Sequence, residues 1–289
     1  MALGFLLAAL TGLSWTVIGV VLSCCAKQRL DVITYSMIQT AITTVLAFFF
    51  YAHPGNVEMR EAWIPVLAVF GAGALNSIAQ MVVKSAMTHG NHGPVWTISQ
   101  SALIIPFLAG VVFWGNRGTT GQWLGTGLIV GGILIPALGK FRNFKLWIRP
   151  ALVAFFLFGV VQTLYMIPSQ MAGYRDSGGL RPMLVAFGGL TGWELVRFQR
   201  HAKFRLNRTT LILAPGMAVL SLVSLKLFFL GLDQLSRAGL GNVVIPLIVG
   251  CNIVGFSLYS LLILRERLSR LETSGMLAVL TGIATIAIN

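Results

Sequence analysis

Two lysines and a small set of amides and aromatic rings stand inside otherwise apolar stretches of this 289-residue sequence. Such groups are where its chemistry must be sought, because hydrocarbon cannot satisfy a charge or an amide without a partner, water or a task. Asn76, Gln80 and Lys84 follow one another at helical-turn spacing, and Gly73 extends the stripe. Trp96 and Gln100 are four apart, as are Thr11 and Trp15; Gln162 and Tyr165 are three apart, and Asn252 and Tyr259 seven apart. On a helix each pair shares one face. Rings cover the apolar faces of an organic ligand while amides orient its hydrogen bonds. Trp15, Asn76, Gln80, Trp96, Gln100, Gln162, Tyr165, Asn252 and Tyr259 are therefore candidates to line a cavity for a small polar solute. Lys226 is expected to face the same path, either as a cation that binds an anion or as a proton carrier, since burial disfavours the ammonium form. Asp233 lies seven residues further on the same face, roughly 10.5 Å along the helix, and is the candidate to couple with Lys226. Lys84 is near the end of its stretch and is expected to snorkel.

Other chemistries find little support. Glu194 and Arg197 have the spacing of an i, i+3 ion pair, which leaves no unpaired carboxylate at mid-span for a proton relay. His89 and His92 flank a Gly-containing turn with no thiol nearby, so no metal site is expected. The sequence contains no phosphate-binding Walker loop, nucleophile elbow or HExxH pattern. Neither self-driven ATP hydrolysis nor a cofactor is expected. Cys24, Cys25 and Cys251 suggest packing rather than a disulfide framework.

The elements that must position these residues follow from composition. The chain is 56% hydrophobic and 10% charged, with mean hydropathy +0.83. A bilayer core about 30 Å thick takes roughly 20 apolar residues in a helix. Ten stretches meet that need: 2–25, 34–52, 61–87, 93–114, 119–138, 147–171, 180–200, 209–235, 238–264 and 273–288. The fold class is accordingly all-α integral membrane, with ten transmembrane helices. The amino terminus lacks the basic segment of a secretory signal, so its first span is expected to be retained.

The net charge of +13 is unevenly placed. Loops after odd-numbered spans carry Lys27, Arg29, Lys140, Arg142, Lys145, Arg149, Arg197, Arg200, Lys203, Arg205, Arg208, Arg265, Arg267 and Arg270. Loops after even-numbered spans carry only Arg60, Arg117, Arg175, Arg181 and Arg237. Basic loops stay in the cytoplasm. This predicts a multi-pass protein of the cell (inner) membrane with both termini on the non-cytoplasmic side, and it accounts for the basicity without nucleic acid.

Gly125 and Gly132 recur as Gly275 and Gly282, both 150 residues later, each pair following a short polar loop. Residues 1–138 and 150–289 then form two five-span halves joined by a basic linker, 139–149. Five is odd, so the second half is inverted relative to the first. Inverted repeats are a hallmark of secondary transporters, with the substrate between the halves. The spacings Gly121/Gly125, Gly127/Gly131 and Gly188/Gly192 allow close helix approach. Pro65, Pro106, Pro136, Pro168, Pro215 and Pro246 are candidate kink points.

The stretch PLIVGCNIVGFSLYSLLILRERLSRLETSGMLAVLTGI, residues 246–283, resembles the ending of EamA-like members of the drug/metabolite transporter superfamily. Glu266, Arg267, Gly275 and Gly282 stand at the matching positions, and Leu13-Ser14-Trp15 is similar to a segment of the family's first helix. Asn116 stands where the family usually has glutamate. Gly73-Ala74-Leu75-Asn76 and Leu225 to Phe229 faintly resemble the rhamnose-transporter branch. The resemblance implies alternating-access transport of a sugar, amino acid or organic anion rather than catalysis. A lipid or lipid-linked head-group flippase and an integral-membrane enzyme stay open as alternatives. Proton coupling, and monomer against homodimer, also stay open.

Overall fold

The computed structural model describes residues 2–28, 31–51, 63–115, 118–139, 144–171, 180–238 and 241–288, the side chains of 136–139, 144–145, 241–243 and 287 excepted. Arg29, Arg60, Asn116, Arg117, Lys140, Arg142, Arg175 and Gly239 lie outside the described residues, as does the side chain of Lys145. The chain is all-helical: α1 (Ala2–Lys27), α2 (Val32–Tyr51), α3 (Trp63–Met87), α4 (His92–Gln100), α5 (Ile104–Trp114), α6 (Thr120–Gly139), α7 (Phe144–Gln170), α8 (Leu180–Gln199), α9 (Arg208–Arg237), α10 (Gly241–Leu262) and α11 (Arg270–Ile288). Each apolar stretch carries a helix, and the fourth is broken: a single 3-10 turn, Ser101–Leu103, joins α4 to α5. Seven helices or joined helices are long and apolar enough to cross a membrane: α1, α2, α3, α4 with α5, α7, α9 and α10. These elements support a multi-pass membrane protein.

The helix starts follow from short polar sequences. Asp31 takes the N–H groups of Ile33 and Thr34 at 3.1 and 3.2 Å, opening α2. Asn207 accepts from Thr210 N at 2.6 Å, opening α9. The starts of α6 and α11 are both capping boxes. Thr119 N donates to Gln122 Oε1 and Gln122 N to Thr119 Oγ1. Ser269 N donates to Glu272 Oε2 and Glu272 N to Ser269 Oγ. These two boxes stand 150 residues apart, the same offset as the glycines.

Helix α4 is capped from elsewhere in the chain. Asn91 occupies its N-cap position without making a side-chain cap bond. The first-turn amides of His92 and Gly93 donate instead to Glu266 Oε1 and Oε2, at 2.6 and 3.0 Å. Ser260 Oγ donates to the same carboxylate at 2.6 Å. A carboxylate on a helix N-terminus is favoured by both hydrogen bonding and the helix dipole, so Glu266 ties the loop after α10 to α4. Glu266→Ala should cost about 1–2 kcal/mol, with Glu266→Gln losing less; thermal melting of the purified protein reads the difference.

Large apolar side chains face outward, as lipid solvent requires. Leu3, Leu6, Leu10, Leu13 and Val17 of α1 are exposed, as are Leu124, Leu128 and Leu134 of α6. Small residues line the helix crossings inside. A Cβ at Gly125 would lie 2.6 Å from Gly282 O, and one at Gly132 2.6 Å from Gly275 O. The backbones of α6 and α11 therefore touch at both glycine pairs. A Cβ at Gly188 would lie 2.0 Å from Phe70 O, at Gly192 2.4 Å from Ala74 O, and at Gly73 2.3 Å from Val185 O, which fixes α3 against α8. Gly127 and Gly131 differ, since nothing lies within 4 Å of their Cβ positions; that spacing makes no helix crossing within the described residues. Pro65 and Pro106 fall in the first turns of α3 and α5, where proline is tolerated, whereas Pro168, Pro215 and Pro246 are inside α7, α9 and α10.

Candidate functional site

Eight helices, four from each half of the chain, surround a central cavity of about 130 Å³. An apolar cavity of about 150 Å³ admits a benzene ring, so the space suits a small ring compound. Trp15 enters from α1, Asn76 and Gln80 from α3, Trp96 and Gln100 from α4, Gln162 and Tyr165 from α7, and Asn252 from α10. Eight of the ten candidates thus meet around one space, although they span 238 positions of sequence.

A hydrogen-bonded chain organises one wall. Trp96 Nε1 donates to Asn252 Oδ1 at 3.1 Å, and Asn252 Nδ2 donates to Gln100 Oε1 at 3.3 Å. Thr16 Oγ1 also donates to Asn252 O at 3.2 Å, fixing α1 to α10. Trp96 stacks on Phe256 with ring centroids 5.0 Å apart. Asn252 is fully buried, so its amide could not be left unsatisfied without cost. The break between α4 and α5 begins at Ser101, directly after Gln100. Tightening into a 3-10 turn there is common at functional sites.

The opposite walls are less fully bonded. Gln162 is 4% exposed, and its Oε1 has no hydrogen-bond partner. Asn76 and Gln80 line the cavity without a side-chain hydrogen bond among the described residues. Tyr165 packs edge-on against Phe228 and Phe229, and Trp15 lies 5.7 Å from Phe228.

Two candidates lie elsewhere, and both correct the sequence-based expectation. Lys226 is not in the cavity lining; its Nζ lies 4.9 Å from the ring centroid of Tyr51, the last residue of α2. Ser221, Ser224 and Leu225 carry the cavity face of α9, and position 226 is turned about 100° from position 225. The long lysine stem lets the ammonium reach the end of α2. Tyr259 also lies off the cavity, its hydroxyl 3.5 Å from Ser23 Oγ and 3.6 Å from Cys24 Sγ. There Ser23 Oγ shares a 2.7 Å hydrogen bond with His92 Nδ1. Among the described residues no carboxylate bonds the ring of that histidine, and Glu266 holds the backbone of His92 instead.

Asp233 does not meet Lys226. Its Oδ1 accepts from Arg181 Nη1 at 3.0 Å and from Ser169 Oγ at 3.2 Å. The Arg181 guanidinium also lies 5.5 Å over the Phe229 ring. Glu194 and Arg197 form the expected exposed ion pair. No group of three potential metal ligands occurs among the described residues.

Sequence reasoning passed over two walls. From α2 come Gln39, Thr40 and Thr43, and from α8 Gly189 and Trp193. Gln39 Nε2 donates to Ser221 Oγ at 2.6 Å, linking α2 to α9. The spacing of Ser36, Gln39, Thr40 and Thr43 within an apolar stretch carried the signal.

Residues 2–138 match the EamA-like transporter family. The match covers the first half of the chain and supports a membrane transporter of the drug/metabolite type. No curated protein sequence matches the chain. One solved structure, described only as "Crystal structure of protein", aligns with 99% of this chain and 98% of its own, at TM-score 0.63 and 14% identity. That likeness extends over both halves and speaks to the fold.

Proposed function

We propose that this protein is a secondary transporter that moves a small polar metabolite across the cell (inner) membrane by alternating access. In this reading ten membrane helices form two inverted repeats, 1–138 and 150–289, joined by the linker 139–149, and both termini lie on the non-cytoplasmic side. The carrying observation is the central cavity, built from both halves and lined by amides and aromatic rings. A solute held there meets both halves at once, and rocking one against the other would expose it to alternate sides.

The helix pairings support the inverted arrangement. Exchanging the two halves carries α1 against α9 and α10 onto α7 against α3 and α4, and carries α3 against α8 onto α9 against α2. The pairs α6–α11, α2–α8 and α4–α10 map onto themselves. Packing of this kind is what a two-fold relation between the halves requires.

Solute-dependent thermal stabilisation, followed by flux into protein-containing vesicles, tests the reading. A solute that binds the native state raises apparent stability. Asn252→Leu keeps the branched side-chain shape but breaks the Trp96–Asn252–Gln100 chain, and should weaken solute binding by about tenfold to a hundredfold. Lys226→Ala should leave that binding unchanged. A solute bound and chemically converted without net movement would overturn transport.

A further inference from the structure

Resting on that transport reading, we infer that the cavity selects an uncharged ring solute bearing hydroxyl or N–H donors, and excludes organic anions and cations of the same size. None of its lining residues is Asp, Glu, Lys, Arg or His. The charged side chains that directly follow lining residues are directed elsewhere, Lys226 over Tyr51 and Glu194 to its exposed pair with Arg197, and Asp233 is bonded to Arg181. An ion entering this space would shed water without gaining a counter-charge, the costly case for burial.

Four of the lining hydroxyls reinforce this selection through their direction. Thr40 Oγ1 donates to Ser36 O, Thr43 Oγ1 to Gln39 O, Ser77 Oγ to Gly189 O and Ser224 Oγ to Ser221 O. Their protons are committed to backbone carbonyls, so lone pairs are what remain for a ligand. A carboxylate or phosphate would face these acceptors and find only neutral N–H and O–H donors, with no counter-charge. A hydroxyl or N–H would instead find a partner, above all the unpartnered Oε1 of Gln162. The free amides of Asn76 and Gln80 supply donors for the solute's own oxygens. Aromatic faces at Trp15 and Tyr165 match an uncharged ring. An ammonium could draw on such faces, but cation–π attraction is weaker than full loss of hydration.

The test uses matched ligands on the intact protein: glucose against glucuronate and protonated glucosamine, and uridine against uridine monophosphate. Binding is read by thermal shift and calorimetry, and flux in vesicles. The expected result is that at least one neutral compound binds about tenfold or more tightly than each of its charged counterparts; which pair responds separates a polyol from a nucleobase. Gln162→Glu should move the preference toward glucosamine by about tenfold. A charged member binding as well as its neutral partner, or no neutral member binding, overturns the inference. An unchanged ratio in Gln162→Glu overturns the role of Gln162. Neutral binding without flux would sink the transport reading and leave this selectivity standing, whereas flux of a charged member would do the reverse.

Discussion

Asp233→Ala is expected to destabilise the purified protein by about 3–5 kcal/mol, seen as a large fall in melting temperature. The Arg181 side chain is 2% exposed and that of Asp233 12%. Removing the carboxylate takes one charged partner from a desolvated guanidinium that also touches Ser169 and the Phe229 ring. Loss of the 3.0 Å bond between two desolvated charges sets the size of the effect. The double variant Arg181→Met with Asp233→Leu removes both charges and should recover most of the loss, because a buried pair contributes little beyond an apolar pair of similar volume. Failure of the double variant to recover would mean that the pair positions α7, α8 and α9 through its hydrogen bonds rather than merely neutralising itself. Glu194→Ala is the control. Its exposed pair with Arg197 should give no measurable change.

The same ion pair marks a boundary of sequence reading. Asp233 and Lys226 share a helix face, and spacing along one helix was the available signal. The true partner of Asp233 is on another helix, 52 residues earlier, and no periodicity reports which helices adjoin. Lys226 failed for a related reason. Depth in a span can be counted from a sequence, but rotation about the helix axis depends on neighbours. Ser221, Ser224 and Leu225 were the residues that disclosed the cavity face of α9.

More of the cavity was legible, because lipid leaves polar residues so few places to go. Trp15, Asn76, Gln80, Trp96, Gln100, Gln162, Tyr165 and Asn252 stand out against apolar surroundings, and all eight line one space. The contributions of α2 and α8 were hidden in milder chemistry. Thr40 and Thr43 can satisfy their hydroxyls within their own helix, as both do, so their presence in an apolar stretch demands no cavity. The 150-residue offset likewise understated itself. Glycines are abundant here, but the capping boxes at Thr119/Gln122 and Ser269/Glu272 keep the same offset with different residues, so the hydrogen-bonding role recurs even where residue identity does not.

Gly188→Ala should destabilise the protein by about 1–3 kcal/mol and weaken solute binding together, although it adds one methyl group. The new Cβ would lie 2.0 Å from Phe70 O, with Ala74 N at 3.2 Å. Backbone atoms cannot turn aside as a flexible side chain can, so α3 and α8 must separate. Those helices carry Asn76 and Gln80 on one side and Gly189 and Trp193 on the other, and their separation moves both cavity walls. Gly127→Ala adds the same methyl to an exposed face of α6, with nothing within 4 Å. It should leave melting and binding unchanged, or raise stability slightly through better helix propensity. Equal losses from the two substitutions would attribute the effect to helix chemistry in general. A loss confined to Gly188 would place it at the α3–α8 crossing, where absence of a side chain lets two backbones approach closely enough to set the width of the cavity.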